Sequence, residues 1–320
     1  MKNVLYMVVP CYNEEEVLHE TAKRLTEKYE SLISRKLISP KSRVVFVDDG
    51  SKDRTWEIIE ELNSSQEIFS GIKLSRNSGH QNAVLAGLMT VRKMCDMAIT
   101  MDADLQDDIN AIDEMVQKFH EGNHVVYGVR SARKTDTFFK KFTAESFYKF
   151  MKVMGADVVY NHADFRLMSA RVLEELSKCK EVNLFLRGLV RTLGFKSCNV
   201  MYERAERFAG ESKYPLKKMI AFALNAITSF STKPLKLITT AGLFTSVASV
   251  FAVIWSIIVK ITGHAKLGWS STVCSIWFIG GLQLLALGII GEYIGRIFDE
   301  VKQRPRYIVE TFINRLDNKA

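Results

Sequence analysis

The stretch Ile99-Thr-Met-Asp-Ala-Asp-Leu-Gln-Asp107 places two carboxylates, Asp102 and Asp104, directly after a short apolar run. If residues 97–101 form a strand, side chains at positions i and i+2 beyond its end point to the same side. Adjacent carboxylates repel each other unless a cation lies between them, and Mg²⁺ or Mn²⁺ prefers oxygen ligands that it shares with phosphates. The stretch therefore indicates a site for a divalent metal and a diphosphate. The alternative is that Asp102 only caps a helix that begins near Ile109.

In the first hundred residues, apolar runs alternate with segments that have helical spacing. The apolar runs are residues 4–9, 43–47, 71–74 and 96–101, and the helical segments are residues 14–34, 55–63 and 81–94. This alternation predicts an α/β fold whose mostly parallel sheet is covered on both faces. Ligands of such sheets bind beyond the carboxyl ends of the strands. Polar clusters follow each run, at residues 10–14, 48–51, 77–79 and 102–107, and we expect them to meet in one site.

Two uncharged segments near the C-terminus predict a pair of membrane-spanning helices. Residues 237–259 and 267–291 contain 23 and 25 residues without a charge. At about 1.5 Å rise per residue, a helix of either length crosses a hydrocarbon core of about 30 Å. Soluble helices rarely run so far without a charged face, which disfavours the alternative of buried helices in a large soluble domain. We therefore expect two transmembrane helices within residues 236–295.

The charges that flank these segments predict their orientation. Positive residues favour the cytoplasmic side of a membrane, and the loop at residues 260–266 carries only two lysines. The run at residues 4–9 is too short for a signal peptide. We expect both termini and the α/β part in the cytoplasm, with the tip of the helical hairpin outside. The flanking basic residues are Lys213, Lys217, Lys218, Lys233, Lys236, Arg296, Lys302, Arg304 and Arg306.

Composition narrows the class of partner. The net charge of +8 suits an anionic lipid surface, and no nucleic-acid motif accompanies it, so we expect a membrane and no nucleic acid as partners. The five cysteines show no metal-binding spacing, which indicates reduced thiols.

Residues 214–235 have apolar positions at helical spacing directly before the first span, which predicts an amphipathic juxtamembrane helix. Residues 296–320 are expected to form a cytoplasmic tail.

Two further motifs suit a nucleoside. In Val9-Pro-Cys-Tyr-Asn-Glu14, Pro10 stiffens the turn after the first run, and Tyr12 can stack on a base. In Val47-Asp-Asp-Gly-Ser51, the carboxylates can accept hydrogen bonds from base N–H groups or ribose hydroxyls, and Gly50 permits a tight turn. Taken singly, each motif is better explained by ordinary turn and helix-capping chemistry.

In this order and at these spacings, the motifs resemble those of family 2 glycosyltransferases with the GT-A fold, which implies a GT-A domain over residues 1–213. The resembling set is VPCYNE, VDDGS, Asn77-x-Gly79 and DADLQD. Within that family, the chain is similar to polyprenyl-phosphate glycosyltransferases, which include the bactoprenol glucosyltransferases and, more distantly, the dolichol-phosphate mannose synthases. Three further features support this likeness: Ala163-Asp-Phe-Arg-Leu167, Arg207-x-x-Gly-x-Ser-Lys-Tyr214, and two C-terminal spans that end in Gly291-Glu-Tyr-Ile-Gly295.

The resemblance implies roles for the residues of these motifs. Those expected to bind the nucleotide are Pro10, Tyr12, Glu14, Asp48, Asp49, Asn77 and Asp102. Asp102, Asp104 and Gln106 would bind Mg²⁺ or Mn²⁺ against the diphosphate, where the metal neutralises charge on the departing nucleoside diphosphate. His80 and His162 lie beside motifs, but a lone histidine is more often structural, and neither receives a role.

On the acceptor side, the resemblance implies that Asp164 is the general base. An acceptor phosphate is already ionised at neutral pH, so Asp164 would act more by positioning the acceptor than by removing a proton. The alternative for Asp164 is a salt bridge to Arg166. The basic residues expected at the acceptor phosphate are Arg204, Arg207 and Lys213, with Arg130 and Arg133 as weaker candidates. General attraction to a membrane surface is the alternative for these basic residues.

One departure from the wider family predicts a single transfer. Processive members carry a Gln-x-x-Arg-Trp signature, whereas the comparable region here is Leu184-Phe-Leu-Arg-Gly188. We therefore expect an inverting enzyme that moves one hexose, with UDP-glucose as the first candidate donor, to undecaprenyl phosphate. Other nucleotide sugars (GDP-mannose, UDP-galactose, UDP-N-acetylglucosamine or a modified arabinose) remain open as donors, and a non-catalytic membrane scaffold is the alternative from another class. Glycines in the spans make a homo-oligomer an additional expectation.

Overall fold

The computed structural model describes residues 3–131, 162–182, 185–203, 231–262 and 268–315. These residues form two units. One is an α/β unit of residues 3–131, 162–182, 185–203 and 303–315, and the other is a helical unit of residues 231–262 and 268–302.

A single sheet is the centre of the α/β unit. Its described strands are β1 (Leu5–Cys11), β2 (Arg43–Asp48), β3 (Phe69–Leu74), β4 (Met97–Thr100), β5 (Val125–Arg130), β6 (His162–Ser169), β7 (Ser197–Tyr202) and β8 (Val309–Ile313). They lie in the order β7-β5-β6-β4-β1-β2-β3-β8. Among these described strands, β6 and β8 are antiparallel to their neighbours and the others are parallel to one another. The mostly parallel sheet is therefore as predicted.

Helices cover both faces of this sheet. They are α1 (Leu18–Ser34), α2 (Thr55–Ser65), α3 (His80–Val91), α4 (Ala111–His120), α5 (Ala170–Lys178) and α6 (Leu186–Thr192). Side chains alternate between the faces along a strand, so Met7 of β1 packs with α1, α2 and α4, while Val8 packs with α3, α5 and α6. Gly87 lets α3 approach the sheet closely, because a Cβ there would lie 2.3 Å from the Cγ1 of Val8. The continuous apolar runs follow from burial on both faces.

The helical unit consists of two long helices in its described part, α7 (Lys233–Ile261) and α8 (Trp269–Lys302). By length and composition, both contain a segment that is apolar enough to cross a membrane. Their large apolar side chains are exposed, for example Phe244, Trp255 and Leu284. The hydroxyl of Tyr293 on α8 donates to the carbonyl oxygen of Ser231, 2.5 Å away, two residues before the start of α7.

The described residues of the expected tail, 296–315, include the end of a helix and a strand of the sheet. Residues 296–302 continue α8, and β8 pairs antiparallel with β3. Ile313 of β8 packs against the core, and the Arg306 guanidinium donates to the carbonyl oxygen of Cys179, 2.6 Å away. Without β8, the backbone of β3 would present unpaired N–H and C=O groups at the edge of the sheet. Residues 303–315 thus pack with the α/β unit, and the cytoplasmic location expected for residues 296–320 stays a prediction.

Candidate active site

The turns that follow β1 and β2 are held together by hydrogen bonds. The Asp49 N–H donates to the carbonyl oxygen of Cys11 (2.9 Å), and the Asn13 N–H donates to Ser51 Oγ (3.0 Å). Asn13 has a left-handed φ of 54°, a conformation that asparagine adopts more readily than most residues. These contacts place the two motifs predicted to bind the nucleoside side by side at the carboxyl edge of the sheet.

The nucleoside candidates in these turns differ in exposure. Pro10 is buried, whereas the aromatic Tyr12 is 43% exposed and therefore accessible to a stacking base. Asp48 is buried, and its Oδ1 accepts a hydrogen bond from the Ser51 N–H (3.0 Å); burial raises the pKa of this carboxyl. Glu14 is half-buried, and its carbonyl oxygen accepts hydrogen bonds at the start of α1.

Asp49 supports a neighbouring turn. Its two carboxylate oxygens accept hydrogen bonds from the N–H groups of Ser78 (2.7 Å) and Gly79 (2.9 Å), directly before α3. Gly50 has a φ of 69°, and a Cβ there would lie 2.6 Å from the backbone nitrogen of Asn77. Asp49 and Gly50 thus position the turn that carries the exposed Asn77. Backbone donors thus bind both Asp49 oxygens, and the contact with a nucleotide expected from the motif stays a prediction.

Strand register brings Asp102 next to Asp164. β4 and β6 are antiparallel with Thr100 opposite Arg166, so the residue two positions after Thr100 faces the residue two positions before Arg166. The Thr100 hydroxyl donates to the carbonyl oxygen of Asp164, which fixes this register. His80 lies between the two carboxylates, with its Nε2 3.6 Å from Asp102 Oδ1 and 3.5 Å from Asp164 Oδ2.

Two arginines bind the Asp164 carboxylate. Arg166 Nη2 donates to Asp164 Oδ1 at 2.5 Å, so the alternative predicted for Asp164, a salt bridge to Arg166, is present. Arg187 adds a bidentate contact, with Nε 3.1 Å from Oδ1 and Nη2 2.9 Å from Oδ2. Burial alone would raise the pKa of Asp164, but His80 and both guanidinium groups hold it well below its ordinary value. This lowered pKa favours the ionised form of Asp164 and makes its carboxylate a weaker proton acceptor.

His80 and Arg187 are the residues that sequence patterns missed. Burial alone would lower the pKa of His80, but the hydrogen bond to Asp164 and the charge of Asp102 raise it above its ordinary value. His80 opens α3 directly after Gly79, whose φ is 90°, so its place beside the Asn77-x-Gly79 motif was the available signal. Arg187 lies in the segment that differs from the processive signature, and no local pattern connects it with Asp164.

The residues predicted to bind a metal form a tight loop after β4. Asp104 Oδ1 accepts a hydrogen bond from the Gln106 N–H (3.2 Å), and Leu105 has a left-handed φ of 57°. Burial raises the pKa of Asp102 to about 6; His80 opposes this rise, whereas the carboxylates of Asp107, Asp164 and Asp104 add to it. Such mutual repulsion is relieved by a divalent cation, and the oxygen donors of Asp102 and Asp104 suit Mg²⁺ or Mn²⁺.

Protein side chains alone do not complete a metal site here. Within the described residues, no group of three or more His, Cys, Asp or Glu side chains is arranged to hold a metal ion. The Gln106 side chain, which was expected to be a ligand, is buried. A cation at Asp102 and Asp104 would therefore take further ligands from water or from a diphosphate, as Mg²⁺ commonly does.

Arg130, a weaker candidate for the acceptor phosphate, is committed to another partner. Its Nη2 lies 3.2 Å from Asp107 Oδ1, and its Nε donates to the Tyr202 hydroxyl (3.2 Å). The Tyr202 hydroxyl in turn donates to Asp107 Oδ1 at 2.5 Å. Because Asp107 is buried and neutralises the guanidinium, the geometry opposes an additional phosphate contact for Arg130.

The remaining acceptor candidates, Arg133, Arg204, Arg207 and Lys213, lie outside the described residues, as does most of the predicted juxtamembrane helix 214–235. A cavity of 570 Å³ lies beside α1 and the loop at residues 105–110. Its lining includes Arg24, Lys28, Asp108 and Glu203 and contains none of the carboxylates or bases that meet at Asp164. It borders the loop after β4 on the side of Asp107, because Leu105 and Asp107 also line it.

Comparison with known proteins agrees with this site. Residues 6–177 match Glycosyl transferase family 2, and residues 233–297 match the GtrB C-terminal hairpin. The uncharacterized glycosyltransferase YkoT of Bacillus subtilis is 54% identical over 307 residues, which cover 96% of this chain and 91% of that protein. The SfII prophage-derived bactoprenol glucosyl transferase of Shigella flexneri is 40% identical over 306 residues, which cover 95% of this chain and 96% of that protein.

Among solved structures, glucosyl-3-phosphoglycerate synthase from Mycobacterium tuberculosis, in complex with Mn²⁺, UDP and glucosyl-3-phosphoglycerate, aligns with a TM-score of 0.45. The sequence identity is 15%, and the alignment covers 71% of this chain and 78% of that chain.

The fold is that of a glycosyltransferase with the GT-A fold. The chain belongs to glycosyltransferase family 2, as its motifs predicted, and the predicted fold class is confirmed. The match to the GtrB hairpin, together with two apolar helices, indicates association with a membrane.

Proposed function

We propose that this protein transfers a single hexose from a nucleotide sugar to a polyprenyl phosphate, with inversion at the anomeric carbon. UDP-glucose is the proposed donor and undecaprenyl phosphate the proposed acceptor. Relatives that are 40% identical over nearly the whole chain are named bactoprenol glucosyl transferases, which supports both the sugar and the lipid. The two apolar helices support an acceptor that is held in a membrane.

The observation that carries this proposal is the electrostatic state of Asp164. An acceptor hydroxyl needs a base to remove its proton, and a carboxylate bound by Arg166 and Arg187 is a poor base. A phosphate monoester has a second pKa of about 6, so its oxygen is already a nucleophile at neutral pH. A phosphate acceptor therefore needs positive charge and orientation from this site. Arg187, whose side chain is 28% exposed, is proposed to supply them, whereas Arg166 is buried.

The same pairing supports a single displacement. A covalent glycosyl intermediate requires a carboxylate that is available as a nucleophile. Asp164 is bound by Arg166 Nη2 and, at both oxygens, by Arg187, which lowers its nucleophilicity. Direct attack by the acceptor on the opposite face of the sugar gives inversion.

On the donor side, Tyr12 is proposed to stack on the base and Asp48 to bind the nucleoside. Asp102 and Asp104 are proposed to hold Mg²⁺ or Mn²⁺ against the diphosphate, and the bound cation would neutralise charge on the leaving group. His80 is proposed to hold Asp102 and Asp164 at a constant separation through its single Nε2 atom. The site would then keep the donor and acceptor groups in register, which is the main requirement of a transfer between two bound substrates.

Residues 236–295 are proposed to cross the membrane twice, with both termini and the α/β unit in the cytoplasm. The lysine-poor loop at residues 260–266 supports this orientation. Single cysteines introduced there should be labelled by an impermeant thiol reagent from outside whole cells. Protection of that loop together with labelling of the α/β unit would contradict the orientation.

The test of the reaction is transfer of radiolabelled sugar to undecaprenyl phosphate by membranes that contain the protein, with Mn²⁺ or Mg²⁺ and a panel of nucleotide sugars. Labelled lipid from UDP-glucose alone would establish the reaction and the donor. Product from GDP-mannose, UDP-galactose, UDP-N-acetylglucosamine or a modified arabinose donor would keep the reaction and replace the sugar. If folded protein binds UDP but gives no lipid product from any donor, the proposed acceptor is wrong. If it binds no UDP either, the non-catalytic scaffold is favoured.

A further inference from the structure

Asp107, in the loop after β4, has no role in metal or sugar binding, yet it is the most enclosed acid of that loop. Only 1% of the Asp107 side chain is exposed. Its Oδ1 accepts hydrogen bonds from the Tyr202 hydroxyl (2.5 Å) and Arg130 Nη2 (3.2 Å), and Arg130 Nε also donates to the Tyr202 oxygen (3.2 Å). The three side chains therefore form a closed triangle, which we call the Asp107 triad.

The Asp107 triad fixes the position of the loop that carries Asp102 and Asp104, three residues after Asp104. Earlier in the loop, the carbonyl oxygen of Ala103 accepts a hydrogen bond from the Thr21 hydroxyl (2.9 Å), and Asp104 closes a small turn. Leu105 has a φ of 57°, an unfavourable backbone conformation for leucine. It persists only when other contacts fix the chain before and after this residue. The hydrogen bond from Thr21 to Ala103 fixes the chain before Leu105, and the hydrogen bonds to Asp107 fix it after Leu105.

The triad also joins three segments that are distant in sequence. Asp107 follows β4, Arg130 ends β5 and Tyr202 ends β7. The chain continues from Arg130 to Arg133, and from Tyr202 to Arg204 and beyond, which are the segments expected to contact the acceptor phosphate. A single carboxylate thus connects the loop on the donor side with the strand ends that lead to the acceptor side.

Burial of the Asp107 carboxylate, taken by itself, lowers the stability of the folded protein. Its Oδ2 atom is buried without a hydrogen-bond partner among the described residues. An apolar residue at position 107 would avoid the free-energy cost of this unpartnered atom. The buried carboxylate therefore indicates a requirement for a fixed geometry of the loop, and not for stability.

We propose that Asp107 is a positioning residue that fixes Asp102 and Asp104 in the geometry needed to bind the metal–nucleotide complex. This inference rests on the proposed function only in taking the loop after β4 as the metal-binding loop. Residues that hold metal ligands in place typically contribute about 10-fold or more to metal affinity.

The experiment measures binding of UDP to the full-length protein in detergent by calorimetry, with and without Mn²⁺. In Asp107→Asn, the amide oxygen can still accept hydrogen bonds at the Oδ1 position, but the negative charge that pairs with Arg130 is lost and an NH₂ donor occupies the buried Oδ2 position without a partner. We expect Mn²⁺-dependent UDP affinity to fall about 10-fold. Tyr202→Phe removes one hydroxyl without a change of charge, and we expect a fall of about 3-fold. UDP binding without Mn²⁺ should be the same in all variants.

A double variant that also removes the charge of Arg130 distinguishes a positioning role of Asp107 from a general loss of folding. Asp107→Asn leaves the Arg130 charge unpaired, whereas the double variant Asp107→Asn/Arg130→Gln removes both charges and lets the two amides pair. We expect the double variant to recover part of the lost affinity. Asp108→Asn is the matched control, because Asp108 precedes the same helix and its Oδ1 accepts only a local hydrogen bond from Asn110 in the described structure. Its affinity should equal that of the unchanged protein.

Equal Mn²⁺-dependent UDP affinity in Asp107→Asn, Tyr202→Phe and the unchanged protein would overturn this inference, even if the variants melt at lower temperature. If the unchanged protein itself binds no UDP with Mn²⁺, the assignment of the loop fails, and the proposed function fails with it. If UDP binding responds to Asp107 while no lipid product forms, the inference stands and the proposed acceptor fails.

Discussion

Replacing Asp102 with asparagine should abolish transfer and, without metal, make the folded protein more stable. Asp102 lies beside Asp164 and near Asp104 and Asp107, and burial together with these carboxylates raises its pKa to about 6. Without a cation, the ionised carboxylate is therefore unfavourable in the folded state at neutral pH. Asparagine has nearly the same shape and cannot ionise, so it removes this unfavourable charge and also removes the proposed metal ligand.

The magnitude follows from the pKa. A carboxyl whose pKa rises from 3.8 to about 6 on folding stabilises the fold fully below pH 3.8, and that contribution is lost as the pH rises through 6. The full difference corresponds to ~3 kcal/mol at neutral pH. Because one third of the Asp102 side chain is exposed, solvent screening reduces the expected value to about 1 kcal/mol. The Asp102→Asn variant should therefore be about 1 kcal/mol more stable at pH 7.5 and equal in stability at pH 4.

The assay is thermal unfolding of both proteins in detergent with a metal chelator, between pH 4 and pH 8, followed by sugar transfer in membranes. About 1 kcal/mol corresponds to an increase of roughly 2 °C in melting temperature for a domain of this size. Addition of Mn²⁺ and UDP should raise the melting temperature of the unchanged protein and leave that of the variant unaltered, because a ligand stabilises only the state that binds it.

Two results would refute this reasoning. A variant that melts below the unchanged protein at pH 7.5 would show that the Asp102 carboxylate is stabilising without metal. A variant that transfers sugar at a near-normal rate would remove Asp102 from the metal site. Asp104→Asn offers a comparison, since it removes the other proposed metal ligand of the same loop and should also abolish the response to Mn²⁺ and UDP.

Three further changes follow from the same geometry. Asp164→Asn removes the partner of the buried Arg166 and should cost roughly 3 kcal/mol of stability and abolish transfer; a variant with full stability and rate, by thermal unfolding and radiolabelled transfer, would exclude both roles. Gly50→Ala places a Cβ 2.6 Å from the Asn77 nitrogen at a φ of 69° and should destabilise the fold by about 2 kcal/mol, as urea unfolding would measure. Tyr12→Ala should weaken UDP binding about 10-fold by calorimetry with no change in melting temperature, because the exposed ring supports no core packing; unaltered affinity would contradict base stacking.

Sequence patterns were sufficient for the features that depend on local periodicity. The apolar runs that became β1 to β4 and the polar clusters after them predicted where ligands would bind, because the carboxyl ends of parallel strands collect at one edge. The two long helices followed from uncharged length alone. The start of α1 is later than expected, at Leu18, because residues 14–17 form a turn around the Glu14 carbonyl oxygen.

Contacts between distant segments required the tertiary structure. β6 is inserted antiparallel beside β4, and only this strand order brings Asp164 within reach of Asp102 and His80. The motif of Asp49 predicts a contact with the nucleotide, but it gives no sign that both oxygens also accept from backbone N–H groups of a turn about thirty residues later. Neither strand order nor such pairing is encoded in a local pattern of apolar and polar residues.

Local sequence patterns were enough to predict the class of fold, the edge of the sheet where ligands are expected, and the carboxylates near that edge. The partners of each charged side chain became visible only in the folded protein. Arg187 pairs with Asp164, Arg130 is neutralised by Asp107, and β8 completes the edge of the sheet next to β3. The physical reason is that a charge acquires its chemical role from the groups within about 4 Å of it, and those neighbours come from segments far apart in the chain.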